Sequence, residues 1–314
     1  MIVSDLPVKE LTARLRRAGL VIRAGPFAFN IRSDLPELAD GLAQLYANHP
    51  LGDADGFADF HVSVDRPHGL RRWYRQQIFF KFDGTAPFLP LPREQAMPAL
   101  EWGLNWAVAN HAHQYLIVHA AALSRNGRAV IMPGPPGAGK STLCAALAHR
   151  GWRLLSDELT LVDMRTGMLR PLARPISLKN QSIDIMCRFA PDAVLSEPAH
   201  DTVKGSVALL RPPEGSVVTM SEPAVPAWIV VPEYAAGAAT KLTDRSRARM
   251  LIELGRNAFN YSILGRAGFL ALAALVERCQ TLAFRYSALD EAVATFDRMA
   301  DAGLNTGPDG LNGS

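Results

Sequence analysis

The residues with the clearest chemical potential form one short run near the middle of the chain. The phosphate-loop pattern places a glycine and four further residues before Gly-Lys-Ser or Gly-Lys-Thr, and the chain matches it at Gly134-Pro135-Pro136-Gly137-Ala138-Gly139-Lys140-Ser141. Backbone N–H groups of such a loop surround phosphate oxygens, and the positive end of the following helix strengthens the attraction. In this pattern Lys140 reaches the β- and γ-phosphates, and the Ser141 hydroxyl binds magnesium. The sequence therefore predicts a nucleotide site over residues 134–142, which end with Thr142 in the first helical turn.

Two adjacent carboxylates follow the phosphate loop along the chain. Asp157 and Glu158 end the apolar segment 152–156, with Asp157 placed 17 residues after Lys140. One helix and one returning strand fill that interval and bring the acids back beside the loop. A carboxylate at that place holds magnesium or accepts the proton of a hydroxyl group. Asp163, at the end of the next apolar segment, is a competing acid.

A phosphate loop alone does not define the reaction, because GTPases, motor ATPases, transporters and small-molecule kinases all contain one. The chain has neither the Asn-Lys-x-Asp run that reads guanine nor the Leu-Ser-Gly-Gly run of transporters. A predicted hairpin leads into the loop, unlike the parallel strand order of those classes. We therefore expect ATP rather than GTP, and a mixed rather than a purely parallel sheet.

The segments before residue 95 predict a small α/β region. Apolar and helical spacing predicts, in chain order, a strand over 20–31, a helix over 36–47, strands over 59–64 and 73–82, and a helix over 93–111. We expect Asp34 to be the N-cap of the first of these helices. A domain boundary is predicted near residue 95, which gives an N-terminal α/β region over residues 1–95.

The segments after residue 95 predict the domain that holds the phosphate loop. Apolar runs over 115–123 and 128–132 flank Asn126-Gly127, the strongest short signal for an antiparallel hairpin. Further predicted elements are a helix over 141–150, strands over 152–156, 159–163, 168–172, 203–210 and 227–231, and helices over 245–257, 268–279 and 289–300. This domain is expected over residues 96–300, and residues 301–314, rich in Gly, Asn and Asp, are expected to form a disordered tail.

Composition and charge exclude several classes of protein. The 314 residues carry 33 basic and 30 acidic side chains, a balance unlike that of a nucleic-acid-binding face. The longest uncharged apolar run, 269–276, is far shorter than the roughly 20 residues that span a bilayer. Charges near the N-terminus predict no export signal, and three widely separated cysteines predict a reducing compartment. We therefore expect a cytoplasmic protein with neither nucleic acid nor membrane as partner.

The run His119-Ala120-Ala121, the Asn126-Gly127 hairpin, the phosphate loop and the acidic pair resemble the catalytic core of HPr kinase/phosphorylase. The fold of that family is akin to the fold of phosphoenolpyruvate carboxykinase. The group called HPr kinase-related kinase A is more similar still, through Arg174-Pro175-Ile176-Ser177-Leu178-Lys179-Asn180-Gln181-Ser182, Lys204-Gly205 with Leu210-Arg211-Pro212-Pro213, and Asn257-Ala258-Phe259-Asn260-Tyr261. This second resemblance covers most of the chain. It implies an α/β fold in which a mixed-sheet P-loop kinase core follows the smaller N-terminal α/β region.

The resemblance implies transfer of the ATP γ-phosphate to a hydroxyl group, with the serine of a protein or peptide as acceptor. It makes Asp157 the base, and it assigns Mg2+ to Glu158 together with Asp157 and Ser141, although the roles of the two acids are interchangeable. His119 would orient an acid beside the γ-phosphate. Charge on the transferred group would be neutralised by Arg174, Lys179 and Lys204.

The chain departs from the HPr enzymes at two points, so neither phosphorylase activity nor HPr as substrate is carried over. It has Asp-Glu where those enzymes have two aspartates, and it lacks their Glu-Ile-Arg-Gly run. Other relatives of HPr kinase phosphorylate serine in peptides such as lasso peptide precursors, which favours a peptide acceptor. HPr kinases form hexamers, which makes a homo-oligomer an expectation here. Two alternatives stay open: a kinase of a small-molecule or sugar hydroxyl, and a non-catalytic ATP-gated partner in a biosynthetic complex.

Several residues are singled out by resemblance alone, namely Ser182, Asn257, Asn260 and Tyr261. Leu251, Leu254 and Phe259 predict a packed helix around Asn257 and Asn260, so a structural role is favoured for these two amides. Arg245, Arg247 and Arg249 are spaced so that they do not all converge on one ligand. We interpret them as a solvated helix face rather than as a lid over phosphate.

Overall fold

The computed structural model describes residues 1–53, 56–67 and 75–304, which form three β-sheets with helices packed on them. The helices are α1 (Val8–Arg16), α2 (Pro36–Leu45), α3 (Ala96–His111), α4 (Lys140–Ala148), α5 (Gln181–Phe189), α6 (Glu214–Val218), α7 (Arg247–Arg256), α8 (Tyr261–Arg278) and α9 (Leu289–Leu304). The strands are β1 (Leu20–Ala24), β2 (Phe27–Ser33), β3 (Phe60–Asp65), β4 (Gln77–Phe82), β5 (Leu91–Pro92), β6 (Tyr115–Arg125), β7 (Arg128–Pro133), β8 (Arg153–Ser156), β9 (Leu159–Asp163), β10 (Leu169–Arg170), β11 (Ile176–Lys179), β12 (Ala199–Thr202), β13 (Gly205–Leu210), β14 (Val225–Tyr234), β15 (Lys241–Asp244) and β16 (Gln280–Tyr286).

Five strands form the N-terminal sheet, in the order β1-β2-β3-β4-β5. The single strand predicted over 20–31 is wrong, because β1 and β2 are the two arms of an antiparallel hairpin. The chain turns between them at Gly25, whose φ of +57° favours glycine, and a Cβ there would lie 2.0 Å from the Pro171 carbonyl oxygen. The first residues of the strand predicted over 73–82 lie outside the described residues, and its remainder is β4.

The start of α2 differs from the expectation for Asp34. Leu35 is the N-cap residue, and its N–H donates to the Ser33 hydroxyl at 3.1 Å. Asp34 instead accepts a hydrogen bond from Nε of Arg66 at 2.8 Å. The predicted cap at Asp34 is therefore wrong, because a cation on a distant segment binds this carboxylate.

The predicted boundary near residue 95 falls at the start of α3, after a short 3-10 helix over Arg93–Gln95. Leu100, Leu104 and Val108 on α3 are fully buried and share one core with the N-terminal sheet, α1 and α2. Their spacing of four residues places them on one helix face. The apolar face of α3 thus packs on the N-terminal sheet, while its chain continues directly into β6.

Eight strands form the large sheet, in the order β10-β9-β6-β7-β14-β16-β15, and β8 also pairs with β6. The strands β7, β14 and β16 are parallel, whereas β6 and β15 are antiparallel to their neighbours. The expectation of a mixed sheet is therefore confirmed. So is the hairpin at Asn126-Gly127, where both residues have positive φ. The strand β16, which the sequence reading did not predict, lies between β14 and β15.

A separate antiparallel sheet has the order β11-β13-β12. Neither β11 nor the helix α5 that follows it was predicted from the sequence. On the large sheet, α4 and α9 share a core that includes Leu143, Leu147 and Phe296. Met250 of α7 and Leu272 of α8 belong to another core, together with side chains of the same sheet. The tail predicted over 301–314 begins too early, since α9 continues to Leu304, and its remainder lies outside the described residues.

None of the helices in the described residues is long and apolar enough to cross a membrane.

A short segment between α7 and α8 binds the first part of β6, beyond the reach of β7. The Asn260 side chain accepts a hydrogen bond from Ile117 N–H at 3.0 Å and donates one to the Tyr115 carbonyl at 2.8 Å. The N–H of His119 donates to the Asn257 carbonyl at 2.7 Å. Asn260 is fully buried, so the structural role favoured for this amide is confirmed.

We expect Asn260→Ala to lower the free energy of unfolding by about 2–4 kcal/mol, because two buried backbone groups of β6 lose their partner. Asn110→Ala is the matched control, since Asn110 is exposed and donates a hydrogen bond to a carbonyl of its own helix, that of Trp106. The control is expected to change stability by no more than about 0.5 kcal/mol. Urea unfolding of both variants measures the difference, and equal small losses would contradict the role given to Asn260.

Candidate functional site

The candidate site lies at one edge of the large sheet, where two strands end side by side around β6. Ala122 of β6 pairs with Ile131 of β7 on one side and with Ser156 of β8 on the other. Both partners run antiparallel to β6, so both of their C-terminal ends point to the same edge. The phosphate loop follows β7 and the acidic pair follows β8. The sheet therefore brings Lys140 and Asp157 to one place, as their spacing predicted.

The phosphate loop is a tight turn of backbone that leads into α4. Gly139 has a φ of +84°, a conformation that glycine adopts without strain. A Cβ at Gly139 would also lie 2.5 Å from the Tyr286 hydroxyl, which donates to the Gly139 carbonyl at 3.3 Å. Tyr286 ends β16 and thus braces the loop from the neighbouring strands. Glycine is required here by conformation and by space.

The Lys140 side chain folds back over the loop. Its ammonium donates to the carbonyl oxygens of Gly134 at 2.5 Å and Pro135 at 3.1 Å. Burial lowers the pKa of Lys140, Asp157 opposes that change, and the neighbouring Lys179 adds to it. The ammonium therefore lies at the mouth of the loop, where the pattern requires it to meet phosphate oxygens.

Asp157 is buried, with 7% of its surface exposed. Its Oδ2 accepts hydrogen bonds from the Ser141 hydroxyl at 3.1 Å and from the Ser177 N–H at 3.2 Å. Its Oδ1 is buried and has no hydrogen-bond partner among the described residues. Burial, and next the charge of Glu158, raise the pKa of Asp157 from 3.8 to about 6.

The arrangement around Asp157 fits a magnesium ion. A carboxylate oxygen without a partner and the hydroxyl of Ser141 are the oxygen donors that this hard cation prefers. The Ser177 hydroxyl on β11 is likewise buried without a partner among the described residues. No group of three or more His, Cys, Asp and Glu side chains in residues 1–53, 56–67 and 75–304 forms a ready metal cage. Mg2+ usually shares its coordination between one or two carboxylates and substrate phosphates.

Glu158 is only partly buried and has two neighbours of different kinds. Its Oε2 accepts a hydrogen bond from the Asn105 amide at 2.6 Å. Its Oε1 lies 3.8 Å from the Lys179 ammonium, within ion-pair distance. The two adjacent acids therefore have different environments. Asp157 binds groups of the phosphate loop and β11, and Glu158 binds α3 and a lysine.

Three of the six lysines of the chain converge on this edge, namely Lys140, Lys179 and Lys204. Lys204 lies in the turn between β12 and β13, with its ammonium 5.2 Å from the centre of the Trp102 ring. Burial lowers the pKa of Lys204, Glu158 raises it, and Lys179 lowers it. The small sheet thus contributes two cations to the site.

Asn180 joins two strands of that small sheet. Its backbone has a φ of +52°, which is uncommon for a residue other than glycine. Its side-chain oxygen accepts a hydrogen bond from Ser206 N–H at 3.1 Å, and its own N–H donates to the Ser206 carbonyl at 2.9 Å. The strained residue therefore ties the end of β11 to the turn that carries Lys204.

Arg174 is 6% exposed and lies away from open solvent, unlike the surface charge that was its alternative interpretation. Its guanidinium forms an ion pair with Glu101 at 3.1 Å and donates to the Asn105 side-chain oxygen. Glu101 also accepts a hydrogen bond from the Tyr46 hydroxyl. Burial raises the pKa of Glu101, and Arg174 opposes that rise. Both terminal nitrogens of Arg174 are thus bound to α3 rather than to the phosphate loop.

His119 lies on β6 at the same edge, with its ring 5.5 Å from the ring of Phe259. Burial lowers the pKa of His119, Glu158 raises it, and Lys140 lowers it. The imidazole is therefore close enough to the acids and lysines to sense their charges.

An open cleft of about 670 Å3 adjoins the phosphate loop on the side of α5. Its volume is in the range of small-molecule sites. Inside it, the Thr142 hydroxyl donates a hydrogen bond to Ser182 Oγ at 2.7 Å. Ser182, which was singled out by resemblance alone, therefore contacts the helix that follows the phosphate loop. The cleft is lined by Gly137, Thr142, Ser182, Phe189, Tyr234 and Tyr286, among others.

Other sequence candidates lie apart from the site. Asp163 accepts hydrogen bonds from the N–H groups of Arg165 and Thr166 at 3.0 Å and so closes the turn after β9. Arg245 forms an ion pair with Glu253 at 2.5 Å. Arg247 and Arg249 are exposed, as expected for a solvated helix face, and Tyr261 packs against the core below α8.

The sequence reading missed Glu101 and Asn105 of α3, and also Tyr286. Glu101 and Asn105 are four residues apart on a helix that is otherwise apolar where it packs. Two polar residues at that spacing lie on one helix face and are a sign of a buried polar contact. Their partners, Arg174 and Glu158, are too far away along the chain for any local pattern to connect them.

Comparison with known proteins finds similarity to a family over part of the chain. Residues 99–175 match the model of a protein family described as SynChlorMet cassette protein ScmC. The matched region begins in α3 and ends directly before β11, so it includes the phosphate loop and the acidic pair. No curated protein matches the chain.

Asp157→Asn is expected to raise the stability of the protein at pH 7.5 by about 1–3 kcal/mol, because the folded state then no longer buries a charged carboxylate. A pKa raised on folding penalises the folded state above about pH 6 and leaves it unpenalised below the unfolded value of 3.8. The gain should therefore disappear as the pH falls from 6 to 4. Urea unfolding between pH 4 and pH 8 measures it.

Asp163→Asn is a control for which we expect the opposite change in stability at neutral pH. Burial raises the pKa of Asp163, but hydrogen bonds from Thr166 and Arg165 outweigh it and hold this pKa below its ordinary value. We expect this variant to lose stability at neutral pH and to approach the native protein in acid. A loss of stability in Asp157→Asn at pH 7.5 would contradict the electrostatic account of the site.

Proposed function

We propose that this chain is an ATP-dependent kinase that transfers the γ-phosphate to a hydroxyl group, with serine of a protein or peptide as the acceptor. The observation that carries the proposal is the buried carboxylate of Asp157, which accepts a hydrogen bond from the phosphate-loop Ser141. A loop of this kind binds phosphates, and an acid fixed beside it is placed for metal binding or proton transfer.

In this proposal, Ser141, Asp157 and Glu158 would hold Mg2+ beside the phosphates of ATP. When bound, the ion neutralises charge on the β- and γ-phosphate oxygens. Lys140, Lys179 and Lys204 bring three further positive charges to the same edge. Electrostatic stabilisation of this kind is the largest contribution to phosphoryl transfer.

The acceptor hydroxyl loses its proton to a carboxylate of the acidic pair, for which we propose Asp157. The oxygen of the acceptor hydroxyl forms a bond to the γ-phosphorus. The bond from that phosphorus to the oxygen that bridges it to the β-phosphate breaks, and ADP leaves. Oδ1 of Asp157 has no hydrogen-bond partner among the described residues, so it can accept that proton. His119, close to the same charges, would orient the acids.

The alternatives differ in the acceptor or in the absence of transfer. A kinase of a small-molecule or sugar hydroxyl would use the same residues with another acceptor. A non-catalytic ATP-gated partner could use the buried carboxylate as a metal ligand but would gain nothing from a base. We also propose a cytoplasmic location, which is in keeping with the free thiols of Cys144, Cys187 and Cys279.

We expect the native protein to transfer label from γ-labelled ATP, with Mg2+ and host lysate, into a protein or peptide band. Asp157→Asn should reduce that transfer by at least about 100-fold, because the base is lost while its shape is kept. Asp163→Asn, an equally conservative change outside the site, should retain it. Label counted in macromolecular and low-mass fractions is the measurement.

The fractions also separate the alternatives. If label enters only low-mass products, the proposal of a serine kinase would be replaced by that of a kinase for a small-molecule hydroxyl. ATP binding without Asp157-dependent transfer in either fraction would favour the gated partner. Equal transfer by native protein and Asp157→Asn would exclude Asp157 as the base.

A further inference from the structure

Asn105 joins the acidic pair to a buried ion pair that lies deeper in the protein. Its amide nitrogen donates to Glu158 Oε2 at 2.6 Å, and its amide oxygen accepts from the Arg174 guanidinium. One turn earlier on α3, Glu101 binds the same guanidinium at 3.1 Å. All four side chains border one small cavity together with Asp157.

The contacts of Asn105 fix the orientation of its side chain. A guanidinium has only donors, so it binds the oxygen end of the amide. The nitrogen end, which has only donors, then points to the carboxylate of Glu158. Arg174 cannot easily move, because Glu101 is 5% exposed at its side chain and is itself bound by Tyr46. A rigid chain of hydrogen bonds therefore extends from Tyr46, directly after α2, through side chains of α3 to Glu158.

Glu158 needs such a support because a positively charged neighbour, Lys179, competes with Asn105 for its carboxylate. Lys179 lies 3.8 Å away, at a distance that a small rotation of either side chain would close. A carboxylate drawn into that ion pair would turn away from its present position. With Oε2 held by Asn105, this rotation is restrained.

We propose that Asn105 is a positioning residue that holds Glu158 in place for the Mg2+ that accompanies bound ATP. This role rests on the proposed function, since it assumes a nucleotide in the phosphate loop. Partners of metal ligands typically account for a factor of about 10–100 in metal affinity. Asn105 acts through Glu158 and touches neither ATP nor the transferred group.

The test measures binding, without any phosphate transfer. A fluorescent ATP analogue is titrated into the full chain in EDTA and then at increasing Mg2+. For Asn105→Ala we expect the Mg2+ concentration at half-maximal enhancement to rise about tenfold or more, while affinity in EDTA changes by less than about twofold. Asn110→Ala, on the exposed side of the same helix, should behave as the native protein in both conditions.

A double-mutant cycle tests whether the effect passes through Glu158. In a Glu158→Gln background, Asn105→Ala should produce no further change in the Mg2+ dependence. A full tenfold shift in that background would overturn the proposal. So would an Asn105→Ala protein whose binding falls equally with and without Mg2+, which is the result expected from a purely structural role.

Asn105→Leu provides a second variant of similar volume if Asn105→Ala does not fold, and the same shift in Mg2+ dependence is expected of it. A further outcome is that the native protein binds nucleotide in a Mg2+-dependent way and Asn105→Ala shifts that dependence, while no label is transferred. This result would disprove the proposed kinase activity and leave the positioning role of Asn105 intact. A native protein whose nucleotide binding does not respond to Mg2+ would overturn the positioning role.

Discussion

The hydrogen-bond ladder of β6 is the constraint on which the site depends. This strand binds β7 along one side, and β9 and then β8 along the other. Because β7 and β8 both run against it, the segments that follow them emerge at a single edge. The segment around Asn260 completes the pairing of β6 where that strand extends past the C-terminal end of β7. A change in the register of β6 would therefore separate the phosphate loop from the acids.

The buried charges near this edge are compensated unequally, and the inequality indicates where function lies. Arg174 and Glu101 neutralise each other, with Tyr46 and Asn105 as further partners, as buried ions require. Asp157 also lies in the interior but has no ion pair of this kind among the described residues, and its Oδ1, like Nε of Arg174, lacks a hydrogen-bond partner there. Uncompensated burial of this kind costs stability, and proteins retain it mainly where a ligand or a reaction uses the group.

Local patterns predicted those parts of the site that are determined by a few neighbouring residues. The glycines of the phosphate loop, the Asn126-Gly127 turn and the return of the chain to Asp157 follow from steric rules within short segments. The partner of Arg174 did not, because Glu101 is 73 positions away and only the packing of α3 on β3 and β4 brings it near. The strand β16 was not predicted for the same reason, because its parallel neighbour β14 is remote along the chain. The error at Asp34 arose because a distant arginine competed with a local cap.

The region that matches the ScmC family model, 99–175, contains residues that contact one another in the structure although they lie far apart along the chain. It contains both partners of the contacts from Arg174 to Glu101 and Asn105, and both partners of the contact from Asn105 to Glu158. It therefore begins with the helix that supports the acids rather than with the strand that leads into the phosphate loop. Since the other face of α3 packs on the N-terminal sheet, that sheet holds in place the helix on which the position of Glu158 depends. The N-terminal region thus bears on the site through packing, although it contributes no residue to the phosphate loop.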